Sequence, residues 1–346
     1  MAAAGVCSAA RAAREKLCEG CSLLCPGLSD PATRSSWGLK TAMVLIHVMF
    51  VGVIFLFDAN LIRKTRDEPW YTAAYLVIFA ATLIQYFLTS GSSPGYVIDA
   101  MRAEHGTNTA FSHPILEQSN SRNGNIISPM NDSQLESQTS RLTSSSWLKH
   151  VMDLYPPGSA IRNWTCTYCN IVQPPRAKHC HDCEKCILQF DHHCVWLGTC
   201  VGQGNHRRFW WYTFEETVLS VWTVVLYISF LRSKVEKAWW QDFIVIVLLA
   251  ALMFCMIFLL LLLLFHSYLA LTNQTTYEIV RRRRILYMRG IPEKVSPFSR
   301  GICRNLFTFC CSRNSIYTLE AVPTMEELEA RARPYTCVDI ISCRCC

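Results

Sequence analysis

The sequence predicts an α-helical polytopic membrane protein, with four transmembrane helices and a small cytosolic cysteine-rich domain placed before the third. Three observations carry that expectation. Apolar residues make up 51% of the 346-residue chain, but they gather into long uncharged blocks rather than spreading as they do in a soluble core. Between two of those blocks lies a dense Cys/His array, from Cys166 to Cys200. The net charge of +7 suits nucleic acid or an anionic membrane surface. The basic residues concentrate beside the apolar blocks, which favours the membrane.

Taken in order, residues 1–40 form a polar N-terminal segment expected in the cytosol. No cleavable signal pattern precedes the first apolar block, so that block is expected to stay as an anchor. Gly5 is not adjacent to Met1, which leaves the N-myristoylation pattern unmet. Spans are predicted over 41–57, 70–90, 209–231 and 243–271, since about 20 residues cross the hydrocarbon core. The first block is short and earns its place by Leu/Val/Ile/Phe composition and by leading a four-block pattern. The fourth has no Asp, Glu, Lys or Arg and is long enough to tilt. The third carries Glu215 and Glu216 near its start; buried ionisable groups there are functional candidates, and interfacial placement is the blander alternative. His266, within the fourth, reads as a hydrogen-bonded bundle residue rather than a metal ligand.

The positive-inside tendency sets the orientation. Arg207 and Arg208 abut the third block and Arg281–Arg284 follow the fourth, so both flanks are expected in the cytosol. Both termini then lie there too. Arg63, Lys64 and Arg66 in the first connection run against the rule, and Asp67 and Glu68 offset them little. The reducing side that the thiols need decides the conflict. Residues 103–146, rich in Ser, Asn, Gln and Thr, read as a flexible polar linker, and 272–346 as a cytosolic tail. Three N-glycosylation patterns, at Asn131, Asn163 and Asn273, are expected to face the cytosol unmodified.

Nineteen cysteines suit a secreted disulfide scaffold or a set of reduced metal ligands. The spacing Cys166-x2-Cys169-x9-His179-Cys180-x2-Cys183-x2-Cys186-x4-Asp191-His192-His193-Cys194-x5-Cys200 favours metal. Zinc takes four tetrahedral Cys and His ligands. The most economical partition pairs Cys166, Cys169, His179 and Cys186 in one site, and Cys180, Cys183, His193 and Cys200 in the other. Each site then has a Cys-x2-Cys hook plus a distant His and Cys, so the two are interleaved through a domain spanning 163–208. Filled by protein, both are structural: binding free energy serves as folding free energy. Cys194 is left over beside Asp191 and His192. That is the residue set of a thiolate nucleophile, with His192 taking the thiol proton and Asp191 fixing its tautomer. The alternative is a spare ligand or an inert cysteine.

From Cys166 to Phe209 the pattern resembles the cysteine-rich domain of DHHC-type protein S-acyltransferases (palmitoyltransferases). Thr275-Thr276-Tyr277-Glu278 after the fourth span is similar to that family's Thr-Thr-x-Glu motif, and Gly301-x3-Asn305 to its C-terminal motif. The resemblance implies Cys194 as the acylated nucleophile, with Asp191 and His192 as its acid–base partners and two structural zinc ions held as above. It implies that Trp196 contacts the acyl chain, that Thr276 helps to hold the catalytic Asp, and that Asn305 docks the tail. Val195 stands where many members have Pro, and Ser93-Pro94-Gly95 replaces Asp-Pro-Gly after the second span.

The implied activity moves a long-chain acyl group, palmitoyl foremost, from acyl-CoA through Cys194 to cysteines of membrane-associated proteins. The bilayer, acyl-CoA and cytosol-facing proteins with membrane-proximal cysteines are the expected partners. Nucleic acid is not, because no helix with base-reading basic side chains lies between the Cys and His pairs. A membrane-tethered, RING-like adaptor without catalysis is the competing class; it has no use for Asp-His beside a spare Cys. The Ser92-Ser93-Pro94-Gly95-Tyr96 run and the Cys-rich tail look most like plant members of vacuolar and Golgi membranes. Cys310-Cys311, Cys343, Cys345 and Cys346 are candidates for acylation themselves.

Overall fold

The computed structural model describes residues 31–104, 145–233, 238–289, 291–292, 295–311 and 317–332. Most of the polar 103–146 segment, the glycosylation pattern at Asn131, and the cysteines before 31 and after 332 lie outside them. The described helices are α1 (Pro31–Phe57), α2 (Ala59–Asp67), α3 (Pro69–Ser90), α4 (97–104), α5 (145–153), α6 (His206–Arg232), α7 (Trp239–Thr272), α8 (Thr276–Arg281), α9 (Ile302–Cys311) and α10 (Met325–Ala332). Four of them are long and apolar enough to cross a membrane: 21 residues of α1 from Trp37, 22 in α3, 27 in α6 and 34 in α7. At about 1.5 Å per residue each exceeds the roughly 30 Å hydrocarbon thickness. Leu45, Val48 and Leu56 on α1, and Phe254, Phe258, Leu261 and Leu264 on α7, are exposed. Such continuous apolar faces are tolerable only against lipid.

Two compact units are distinguished. Of the described residues, one comprises those up to Val77, Val195–Gly198 and those within Trp222–Leu252; the other comprises those within Ile78–Cys194, Thr199–Val221 and those from Met253 onward. In the first, hydroxyl and indole groups tie apolar helices together. Tyr227 donates to the Phe50 carbonyl at 2.8 Å, Tyr75 and Thr223 share a hydrogen bond of 2.9 Å, and Trp222 donates to Tyr71 at 3.0 Å. In hydrocarbon such polar pairs hold helices where apolar contact alone does not discriminate. Asp58 caps α2 by accepting from the Asn60 amide, and Asn60 in turn bonds Ser233.

The second unit carries the cysteine-rich domain. Its sheets are minimal: β1 (Lys178–Cys180) pairs antiparallel with β2 (Lys185–Ile187), and β3 (His192–Cys194) with β4 (Thr199–Val201). A core of Val97, Trp147, Val151, Tyr155, Val172 and Leu188 lies beside them. Trp147 donates to the Val172 carbonyl, and Tyr155 to that of Gln173 while stacking on Trp164 at 4.0 Å. The Ser93-Pro94-Gly95 turn packs its backbone on Gly202–Gly204. A Cβ on Gly204 would come within 2.6 Å of the Ser93 carbonyl oxygen, so only glycine fits. The Ser93 hydroxyl accepts from the Gly95 amide, the same local cap that a short carboxylate gives such a turn.

Candidate active site and metal centres

Strand alternation explains why the two metal sets interleave. Side chains on a strand point alternately to opposite faces, so His179 and Cys180, neighbours on β1, serve different sets. Residues opposite each other across a ladder serve the same one. His179 faces Cys186, and His193 faces Cys200. Each cross-strand pair thus supplies two ligands of a set, and a Cys-x2-Cys hook the other two. Both hooks end on a residue of left-handed conformation, Asn170 (φ 52°) after Cys169 and Glu184 (φ 51°) after Cys183.

The ligand atoms of Cys166, Cys169, His179 and Cys186 all lie within 4.8 Å of one another, and so do those of Cys180, Cys183, His193 and Cys200. Nδ1 of His179 is 3.3 Å from the Cys169 sulfur and 3.8 Å from that of Cys186. Nδ1 of His193 is 3.4 to 3.6 Å from the sulfurs of Cys183, Cys180 and Cys200. A tetrahedron with Zn–S and Zn–N bonds of about 2.3 and 2.0 Å has edges of about 3.5–3.8 Å. The donor sets therefore fit a zinc-sized ion. His181 lies in neither group; its ring meets Tyr168 and His179 edge-on.

The same alternation turns His192 and Cys194 to the face of β3 opposite His193. Asp191, at the mouth of that strand, is buried, and its amide bonds the Val201 carbonyl. Its carboxylate accepts three hydrogen bonds. Nδ1 of His192 lies 2.7 Å away, and the Thr276 amide and hydroxyl each donate at 2.8 Å. Cys194, two residues on along the same strand face, is near enough to influence the imidazole's charge. Burial opposes the Asp191 charge, but the His192 bond and the surrounding histidines hold its carboxyl well below the usual range. Burial likewise opposes charge on His192, yet the bond to Asp191 and the nearness of Cys194 push it up to about 9. At neutral pH the imidazole is therefore a cation. His266 joins Asp191 and His192 within ligand distance. Its Nδ1 is 3.1 Å from His206 Nε2, and Phe209 wedges against both His192 and His266. The His206 bond fits the bundle role expected for His266.

Thr276 owes its position to the turn that starts α8. Thr275 caps the helix: its hydroxyl accepts from the Glu278 amide while the Glu278 carboxylate accepts from the Thr275 amide. Glu278 also receives a two-pronged contact from Arg176, at 2.7 and 3.0 Å, with both side chains 2% exposed. Arg176 further donates to Asn273 and Glu320 and lies over the Phe298 ring. Burial works against its charge, and Glu278 and Glu320 outweigh that, raising it above its usual value. Asn305 donates to the Leu271 carbonyl and to Ser299, holding α9 at the end of α7. Trp196 is exposed on the Val195–Gly198 loop. Arg176, Glu320, His206 and Asn273 were not singled out from sequence as site residues. Nothing local signals them, because Arg176 meets partners 97 to 144 positions away.

A DHHC palmitoyltransferase family profile matches residues 160–283. Over 345 residues the chain is 54% identical to "Protein S-acyltransferase 10" of Arabidopsis thaliana, covering 99% of this chain and 100% of that protein. It is 29% identical to "Protein S-acyltransferase 8" of the same plant, over 72% of this chain and 61% of the relative. It is 35% identical to "Palmitoyltransferase ZDHHC14" of Mus musculus, over 44% of this chain and 32% of that one.

Proposed function

Because this chain belongs to the DHHC palmitoyltransferase family and is a protein S-acyltransferase, we propose that Cys194 carries the acyl group. In this reading a long-chain acyl group, palmitoyl foremost, comes from acyl-CoA and leaves for cysteines of membrane-associated proteins. The observation that supports it best is the hydrogen-bonded series Thr276, Asp191, His192, with Cys194 on the same face of β3 as His192.

In the first step the Cys194 thiolate attacks the thioester carbonyl carbon. A new C–S bond forms, the bond to CoA sulfur breaks, and the departing thiolate takes a proton from the His192 imidazolium. In the second step His192 accepts the proton of the incoming protein thiol. That sulfur takes the acyl group, and the Cys194 thiolate returns. Thioester exchange is close to neutral in energy, so the site has to activate thiols and position them rather than overcome an uphill reaction. Asp191 keeps the imidazole in one tautomer and balances its charge. Zinc, held by the two Cys/His sets, supplies cross-links that fold the domain, and every ligand is a protein group.

Transferring a palmitoyl chain from water stabilises by about 0.8 kcal/mol per buried CH2, so the nucleophile belongs at a bilayer edge. Trp196, exposed beside it in sequence, is the proposed acyl-chain contact. Of the basic residues, Arg207 donates to the Cys310 carbonyl and Arg282 to those of Pro292 and Val295. These two tie down the tail; Arg208, Arg281 and Arg284 are exposed and suit anionic lipid or CoA phosphates. Both termini are assigned to the cytosol, and an endomembrane, vacuolar or Golgi, is the proposed location.

Cys194→Ser tests the reading. Purified protein offered labelled palmitoyl-CoA is expected to lose both self-labelling and transfer while keeping its zinc content. Label that survives the substitution and still falls off with hydroxylamine would assign the nucleophile elsewhere.

A further inference from the structure

Residues 317–322, between α9 and α10, lie along the cysteine-rich domain as an irregular strap. Gln203 donates to the Thr318 carbonyl at 2.7 Å, and the Val322 amide to that of Leu154 at 2.8 Å. Tyr317, Leu319 and Val322 pack on the core around Trp147 and Tyr155. Glu320, whose side chain is 14% exposed, turns inward from this strap. It accepts from Arg176 at 2.6 Å and from Gln189 at 3.2 Å, with Asn273 at 3.5 Å and Arg300 at 3.6 Å.

We propose that Glu320 is a positioning residue for acyl transfer, acting from the C-terminal strap on the nucleophile's hydrogen-bond chain. The path is continuous and short. Glu320 and Glu278 grip the same buried guanidinium from two sides. Glu278 is the carboxylate of the box that forms the first turn of α8, and the next residue of that turn, Thr276, donates twice to Asp191. Remove the Glu320 charge and Glu278 is left as the charged partner of Arg176, beside the neutral Asn273. The guanidinium then shifts toward the remaining carboxylate, drawing on the group that sets the Thr276 turn. Paired buried charges have steep geometric dependence, so a small change at Arg176 reaches the aspartate that orients His192. Glu320 itself bonds Arg176, Gln189, Asn273 and Arg300, none of which is a metal ligand. Its effect is therefore on the proton chain rather than on the metal sets.

The inference rests on Cys194 being the nucleophile, so two separate readouts are used on the full-length protein in detergent. Glu320→Gln keeps size and shape and removes the charge. It is expected to lower kcat for self-acylation with palmitoyl-CoA about tenfold to 100-fold, the range for displaced catalytic geometry, with KM and zinc content unchanged. The rate at which iodoacetamide alkylates the Cys194 peptide is expected to fall in parallel, a measure independent of any acyl donor. Combined with Thr276→Val, the losses are expected to fall short of the product of the two singles, because both act on Asp191. Parent-like kcat and alkylation in Glu320→Gln, losses that multiply fully, or loss of zinc along with activity would each overturn the proposal. Should Cys194→Ser retain acyl label, the acyl-enzyme assignment fails by itself, and the alkylation arm still decides on Glu320.

Discussion

Asp191 sits at the centre of the candidate site because three donors converge on one buried carboxylate, and its pairing with His192 has a defined pH window. The His192 value is raised to about 9, so its share of stability is complete below about pH 6.5, the unperturbed value, and is lost as pH climbs through 9. The lowered Asp191 works the other way: its share is present above about pH 3.9 and is lost as pH falls through its lower folded value. His192→Gln is therefore expected to destabilise at pH 6 by about 1.5–3 kcal/mol, the range for a hydrogen bond between charged groups. At pH 10 the gap to the parent should close. Thermal unfolding at the two pH values measures it, and an equal gap at both would remove the charged pair from the account. Asp191, His192 and Cys194 were legible because they adjoin in sequence. Thr276 needed the family resemblance, being 85 positions from Asp191, and Arg176 was beyond reach since its partners meet only in three dimensions.

At the scale of elements, the two hairpins are too short to stand alone: each strand has three residues, fewer than an isolated ribbon needs in water. Metal ligation has to supply what packing does not. Cys180→Ser, or a strong chelator, is thus expected to release metal from the second set and unfold β1–β4 together, since β1 carries His179 of one set and Cys180 of the other. Zinc content should fall by more than one equivalent per chain, and hydrogen exchange should speed up at the amides of both hairpins. Loss of a single equivalent with both hairpins protected would show that the sets fold independently. Spacing revealed this partition, because two Cys-x2-Cys hooks, each completed by a distant His and Cys, leave few economical ways to group eight ligands. The strands themselves were not legible, since a three-residue run of Lys-His-Cys or His-His-Cys carries no alternation of apolar and polar residues.

For the whole molecule, four apolar blocks were enough to expect four spans, because an uncharged run of this length has no other stable setting. Helix ends were less legible. The first helix reaches back to Pro31, since Ser, Thr and Lys outside the hydrocarbon continue a helix without adding hydropathy. Orientation is the least determined feature, as Arg63, Lys64 and Arg66 on α2 oppose Arg207, Arg208 and Arg281–Arg284 under one rule. The proposed orientation leans on chemistry: thiolate ligands persist on the reducing side, which favours the cysteine-rich domain in the cytosol and α2 in the lumen. Asn163 is exposed and heads an Asn-Trp-Thr pattern, which makes it a natural reporter. It is expected to carry no glycan in cells, whereas an Asn-x-Thr acceptor engineered into a lengthened α2 connection should be modified, shifting mobility in a glycosidase-sensitive way. Asn273 is a poorer reporter, because its side chain already accepts from Arg176 and donates to the Phe298 carbonyl. A glycan on Asn163, or none on the α2 acceptor together with cytosolic labelling of that connection, would invert the topology and with it the compartment in which acyl-CoA must be met.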